Sequence, residues 1–300
     1  MVSLFDRYTD AIKIFQFLHS PYCISGQYVL CRKENLIVCE YSIDFSLEMG
    51  MDNTNKIELN NVTLIAMTSV KIKPTIKAME YSMRGVKFAD AVLITHEKPD
   101  DLPDTIQYKH IDKLDNIDKF NYSMVYDLYK YVDTDFALIV HYDGFVVNPD
   151  MWKEEFLQYD YIGSPWPLPP EDDKITYRDI NGNLCRVGNS VSIRSRRLME
   201  LPDKIKMPWE PFHGWYNEDG FICCNNKHIF EQYGMKFAPL EVAIQFGQEA
   251  MLPEGEGIRS FVFHKWEGRN AGYPNFLPVK EKIRSSLINT AVKIKHKIDR

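Results

Sequence analysis

Nowhere in these 300 residues does an apolar run approach the roughly 20 residues that a membrane-crossing helix needs. The amino terminus is no better suited to export. It carries Asp6, Arg7 and Asp10 where a secretory leader requires an apolar centre, so a cytoplasmic protein is expected. Basic charge is also in short supply: 36 Lys and Arg stand against 42 Asp and Glu, a formal net charge of −6. General nucleic-acid binding, which usually shows a strongly basic surface, is therefore not expected. The six cysteines, Cys23, Cys31, Cys39, Cys185, Cys223 and Cys224, form no C-x-x-C pair, which argues for reduced thiols and against a structural zinc cluster. Internal repeats and low-complexity tracts are absent as well.

What remains is ordinary globular material, with enough apolar residues (45%) for a substantial core and a length that suits one large or two small domains. Three regions are expected. Residues 1–60 read as an extension: Tyr8, Ala11, Ile12, Phe15 and Leu18 fall at helical spacing, and Tyr28–Cys31 and Leu36–Cys39 flank the polar turn 32–35 as a hairpin. Met51–Asn55 is the candidate linker. Residues 61–277 form the main domain. In it Val62–Met67, Ala91–Thr95, Ile106–Tyr108 and Phe136–Val140 read as strands, and Thr75–Met83 and Tyr122–Tyr131 as helices. That alternation predicts an α/β fold with a mostly parallel central sheet flanked by helices, whose ligands bind beyond the carboxyl ends of the strands. Residues 278–300 form a third region, a basic amphipathic helix.

The strand Phe136–Val140 leads into His141-Tyr142-Asp143-Gly144. If the strand continues, alternation puts His141 and Asp143 on one face, where an imidazole and a carboxylate suit a divalent cation. Gly144 would allow close approach to the backbone. Taken alone, the same spacing fits a loop aspartate beside a core histidine. All five tryptophans, Trp152, Trp166, Trp209, Trp215 and Trp266, follow position 150, with the stiff loop Ser164–Pro170 among them. Aromatic rings on such loops suit a sugar-binding cleft, and equally a core.

Several segments in fixed order carry a resemblance: Leu138–Val146, Asn148-Pro149 with Trp152, Phe156–Trp166, Val187–Arg196, Glu218-Asp219 with Ile222-Cys223, Lys236–Pro239 with Glu241 and Ala243, and Phe263-His264. Together, over roughly Val62 to Trp266, they resemble a family regarded as glycosyltransferases, catalogued as a domain of unknown function and found in bacterial surface-polysaccharide loci and large viruses. The resemblance implies a GT-A-type nucleotide-binding fold. Two departures stand out. The family more usually has Gln at the position of His141, and a Gly-Gly-Phe-Ser run where this chain has Ser190-Val191-Ser192.

What the resemblance implies for the site can be stated residue by residue. Asp143 and His264 match the acidic motif and the late histidine that hold the metal against a nucleotide-sugar diphosphate, with His141 a third candidate ligand. Nitrogen donors favour Mn²⁺ over Mg²⁺. Glu218-Asp219 resembles the acidic pair that deprotonates the acceptor in inverting members, with Asp219 preferred and Glu218 in reserve; Asn217 or Asp219 could also simply cap a helix. Ser192 and Arg194 lie in the segment expected to wall the donor pocket, where a guanidinium suits a phosphate or an acidic sugar. Arg196 and Arg197 read as surface residues.

The expected activity is metal-dependent, inverting transfer from a nucleotide-sugar donor to a glycan or lipid-linked acceptor in surface-polysaccharide synthesis. Two alternatives stand beside it. One is a sugar nucleotidyltransferase, against which Met67-Thr68-Ser69-Val70-Lys71 provides no Gly-rich phosphate loop. The other is a non-catalytic carbohydrate-binding protein on the same fold. The tail carries Ile283, Leu287, Ala291, Ile294 and Ile298 among Lys and Arg, a pattern that fits peripheral binding to an anionic membrane surface or docking on the protein's own domain.

Overall fold

A computed structural model describes residues 56–210 and 217–282, and the backbone of three strands before them. The chain divides into two compact units at Asn55/Lys56. In the first, β1 (Gln16–Ser20), β2 (Cys23–Arg32) and β3 (Asn35–Asp44) form an antiparallel sheet in that order. The expected hairpin is the β2–β3 ladder, in which Cys31 pairs with Leu36 and Tyr28 with Cys39. The expected helix does not reach Leu18, because Leu18 is paired with Ser25 in the β1–β2 ladder. Cross-strand pairing there overrides a helical spacing that rested on few residues. Tyr8–Phe15 and the linker Met51–Asn55 lie outside the described residues.

In the second unit, strands β4 (Ile57–Met67), β5 (Val86–Thr95), β6 (Gln107–His110), β7 (Phe136–Ile139), β8 (Tyr161–Pro165) and β9 (Val187–Ser195) form one sheet in the order β6-β5-β4-β7-β9-β8. The first four are mutually parallel, whereas β9 runs antiparallel to both β7 and β8. The strands are buried on both faces. Leu64, Ala66, Leu138 and Val140 enter one apolar core, and Ile65, Met67, Ala137 and Ile139 enter the other. Period-two alternation thus serves two cores at once, which is why these segments read as continuous apolar runs.

Helix α1 (Ile72–Ser82) connects β4 to β5, α2 (Ile117–Tyr126) precedes β7, and α3 (Arg196–Lys204) follows β9. The second helix begins five residues before the expected Tyr122, because the Asn116 side chain caps it by accepting from the Lys119 N–H at 2.9 Å. It also ends early, and Leu128–Tyr131 form a separate 3₁₀ turn. Residues 279–282 are helical, and the rest of the expected tail helix lies outside the described residues. No helix among the described residues is long and apolar enough to cross a membrane.

Two features of this layout build one edge of the unit. The pairing of Ile139 with Ser192 carries the amino-terminal end of β9 past the carboxyl end of β7. Beyond that end, the short parallel pair β10 (Gly247–Gln248) and β11 (Val262–Phe263) is tied to the segment after β7 by a bridge between Val146 and Val262.

Candidate functional site

Strand β7 stops at Ile139, so His141 and Asp143 do not share a strand face as expected. The chain reverses instead: the His141 N–H donates to the Gly144 carbonyl at 2.8 Å and the Gly144 N–H to the His141 carbonyl at 3.2 Å. A tight turn holds the two side chains, and strand alternation cannot describe it. The segment after β11 then fastens onto this turn. The Lys265 N–H donates to the Asp143 carbonyl at 2.7 Å, and His264 Nε2 comes to 3.7 Å from Asp143 Oδ1. The two residues matched as metal ligands are therefore neighbours in space.

Gly144 is what permits this proximity. A Cβ there would lie 2.5 Å from Val191 Cγ2 and 2.8 Å from His264 Cδ2. Gly144→Ala is expected to cost about 1–3 kcal/mol in stability, as overpacking does, and to push His264 away from Asp143. Urea unfolding measures the first effect and titration with Mn²⁺ the second.

His141 sits deeper, its ring centroid 6.0 Å from that of His264 and 5.9 Å from Phe120. Burial, reinforced by His264, lowers its pKa to about 4, so the imidazole is neutral at physiological pH. Its Nε2 is buried without a hydrogen-bond partner. A neutral imidazole with a free nitrogen is a suitable donor for a borderline cation, as are the Asp143 and His264 atoms that face each other. The donor chemistry thus fits a divalent ion, although among the described residues no group of three His, Cys, Asp or Glu side chains stands close enough together to hold one.

The acidic pair divides into two environments. Glu218 opens a helical turn (Glu218–Gly220) that continues as a π turn over Phe221–Asn225, closed by the Asn226 N–H donating to the Phe221 carbonyl at 3.0 Å. Phe221, Ile222, Cys223 and Cys224 anchor this segment in the core. Glu218 is only 2% exposed and accepts from the Arg194 guanidinium at 2.9 Å. Asp219, one residue on, borders open space. Burial and the adjacent Glu218 carboxylate push its carboxyl up to about 7. Neither residue serves the capping alternative: Asn217 makes no side-chain cap, and Asp219 Oδ1 accepts only from the neighbouring Gly220 N–H, at 2.8 Å.

Arg194 and Ser192 are not on a pocket wall. Arg194 is wholly buried in β9, with its guanidinium carbon 5.2 Å from the Tyr161 ring centroid and its Nε donating to Ser192 Oγ at 3.1 Å. The reading of Arg194 as a phosphate ligand therefore gives way to one in which it supports Glu218. Ser192 is likewise occupied internally, donating to the Ser190 carbonyl at 2.9 Å. The departure at Ser190-Val191-Ser192 is also resolved. The left-handed conformation in this stretch falls on Asn189 (φ 84°), a residue type that tolerates it, while Val191 packs beside Gly144. Arg196 is half-buried and pairs with Glu200, and Arg197 is exposed but pairs with the buried Asp160.

These elements enclose an open cleft of about 450 Å³, lined among others by Phe120, Asn121, Trp166, Tyr177, Asn189, Asp219, Glu249, His264 and Lys265. Trp166 is stacked on Tyr177, with centroids 4.7 Å apart and an interplanar angle of 13°. Trp166 is itself buried, and the other described tryptophans also pack inward: Trp152 on Phe156 and Phe261, Trp209 on Tyr126 and Phe221, and Trp266 on Phe263. Trp215 lies outside the described residues. Sequence reasoning missed Glu249, which touches Asn189 and Lys265 and lies 3.6 Å from His264. Against a burial that would raise it, His264 and Lys265 hold its carboxyl at about 2. Its neighbours come from distant segments, so no local pattern marks it.

Residues 105–264 match the family described as a protein of unknown function, DUF5672. The match covers more than half of the chain, which belongs to that family. No curated protein matches it.

Proposed function

We propose that this member of the DUF5672 family is a metal-dependent, inverting glycosyltransferase of GT-A type, moving a sugar from a nucleotide-sugar donor to a glycan or lipid-linked acceptor. One observation carries the reading. A single cleft beyond the carboxyl ends of parallel strands is lined by His264, whose Nε2 lies 3.7 Å from Asp143 Oδ1, and by Asp219, a carboxyl poised near neutrality. Lys265 is the only Lys or Arg among the described residues that line the cleft, and it is committed to Glu249. A departing diphosphate would meet little protein charge there, so its neutralisation falls to a bound cation.

Asp143 and His264 would hold that ion, with His141 the third candidate, and the nitrogen donors favour Mn²⁺. When bound, it supplies neutralising charge at the diphosphate oxygens. The protein's own groups do the rest. Asp219, ionised, accepts the proton of the acceptor hydroxyl as that oxygen attacks the anomeric carbon from the face opposite the diphosphate. Glu218 is tied to Arg194 and, after burial, is what keeps the Asp219 pKa high. Phe120 and Tyr177, the latter backed by the buried Trp166, offer ring faces to a pyranose, and Ser190 and Asn217 offer polar groups to its hydroxyls.

A thermal-shift screen of nucleotide sugars with and without Mn²⁺ tests the reading. A ligand that binds only the folded state at about 100 times its Kd adds roughly 2.7 kcal/mol of apparent stability. At least one donor is expected to raise the unfolding temperature in a Mn²⁺-dependent way, and Asp143→Asn is expected to abolish that dependence. Shifts produced by free sugars alone, with no effect of the nucleotide or the metal, would instead favour a carbohydrate-binding protein.

A further inference from the structure

Glu249 follows β10 and extends into the cleft beside His264. Its Oε2 lies 3.6 Å from His264 Nδ1, while Asp143 Oδ1 lies 3.7 Å from Nε2 at the opposite edge of the ring. The imidazole is thus held between two carboxylates. His264 Nδ1 is buried and makes no hydrogen bond, and Glu249 Oε2 stands just beyond hydrogen-bonding reach of it. Glu249 is fixed in turn from two directions: Asn189 Nδ2 donates to Oε2, and Lys265 Nζ pairs with Oε1. Both partners have left-handed backbone, Asn189 at φ 84° and Lys265 at φ 61°. Such conformations are uncommon outside glycine, more so for Lys than for Asn, and persist where the surroundings impose them. Two of them converge here on one carboxylate.

We propose that Glu249 is the positioning residue of this site: it accepts the Nδ1 proton of His264 and so turns the Nε2 lone pair toward Asp143. The proposal rests on the reading of Asp143 and His264 as the metal-holding pair. Which nitrogen of a histidine is free for a metal is set by the hydrogen bond that the other nitrogen makes. Glu249 is on the Nδ1 edge, away from Asp143, so its part is to fix the ring rather than to share the ion. A tie between Glu249, Asn189 and Lys265 that served the fold alone would have no need of the imidazole edge.

Two measurements on the full chain test this. Isothermal titration with Mn²⁺ is expected to show binding to the native protein, loss of binding in Asp143→Asn, and binding weakened by about 10–100-fold in Glu249→Gln, the range typical of partners that orient a ligand. The glutamine keeps the volume but only one oxygen, which can accept from Asn189 or from Lys265 but not from both. A folded Glu249→Gln protein that binds Mn²⁺ like the native one overturns the role of Glu249. A native protein that binds no Mn²⁺, or an Asp143→Asn protein that binds it equally well, overturns the metal reading itself. The second measurement needs no substitution. Imidazole ¹⁵N shifts of His264 in the metal-free native protein are expected to show the proton on Nδ1, and a proton on Nε2 in the neutral ring overturns the proposal whether or not the metal reading stands.

Discussion

Asp219→Asn is expected to lower the rate of transfer by about 10²–10⁴-fold while leaving donor binding in place, because a general base acts on the acceptor and contributes in that range. Rates with saturating donor, set beside donor affinity by titration, separate the two. The pH dependence has a definite sign. Asp219 must be ionised to accept a proton, and its carboxyl is pushed up to about 7 by burial and Glu218, so transfer should rise as pH passes upward through about 7 and level off above it. Stability should move the other way. A carboxyl whose folded pKa exceeds its unfolded value binds protons preferentially in the folded state, so the stability present below the unfolded value is lost as pH rises through about 7. Asp219→Asn should therefore make the protein more stable at pH 8. Each tenfold gain in proton affinity on folding corresponds to about 1.4 kcal/mol, and with a discount for the partial exposure of Asp219 the variant should gain roughly 1–3 kcal/mol. A variant that is slower and also more stable separates a catalytic carboxylate from a structural one.

Arg194→Met is expected to destabilise the protein by about 3–5 kcal/mol, because it leaves the Glu218 carboxyl group buried and without its partner. Urea unfolding at pH 7 measures the cost. Replacing both residues, as Arg194→Met with Glu218→Leu, should recover most of the stability, since a buried ion pair exchanged for apolar side chains is often neutral. Equal losses in the single and double variants would mean that the pair does not act as a unit.

The strands of the second unit are legible in the sequence because they are buried on both faces, which makes Val62–Met67 and Phe136–Val140 continuous apolar runs. Helix ends are less so. Tyr122 marks an apolar stripe, whereas the helix start is set by a single asparagine cap at position 116. At the site, His264 and Asp219 line one cleft and Asp143 stands beside His264, yet alternation misdescribes the turn at 141–144, since a chain reversal sustained by two backbone hydrogen bonds has no periodicity to read. Arg194 is misread from sequence because nothing local distinguishes a solvated arginine from one whose carboxylate partner arrives from another segment. Glu249 is invisible for a related reason, as its contacts to Asn189 and His264 are made only after β9, β10 and β11 have assembled.

The most direct test of the central claim is the release of nucleoside diphosphate from a panel of nucleotide sugars by the full chain, followed with Mn²⁺ and with EDTA. The account predicts release from at least one donor in Mn²⁺, reduced to background by EDTA and by Asp143→Asn. Release at the same rate in EDTA, or no release from any donor in Mn²⁺, would contradict it.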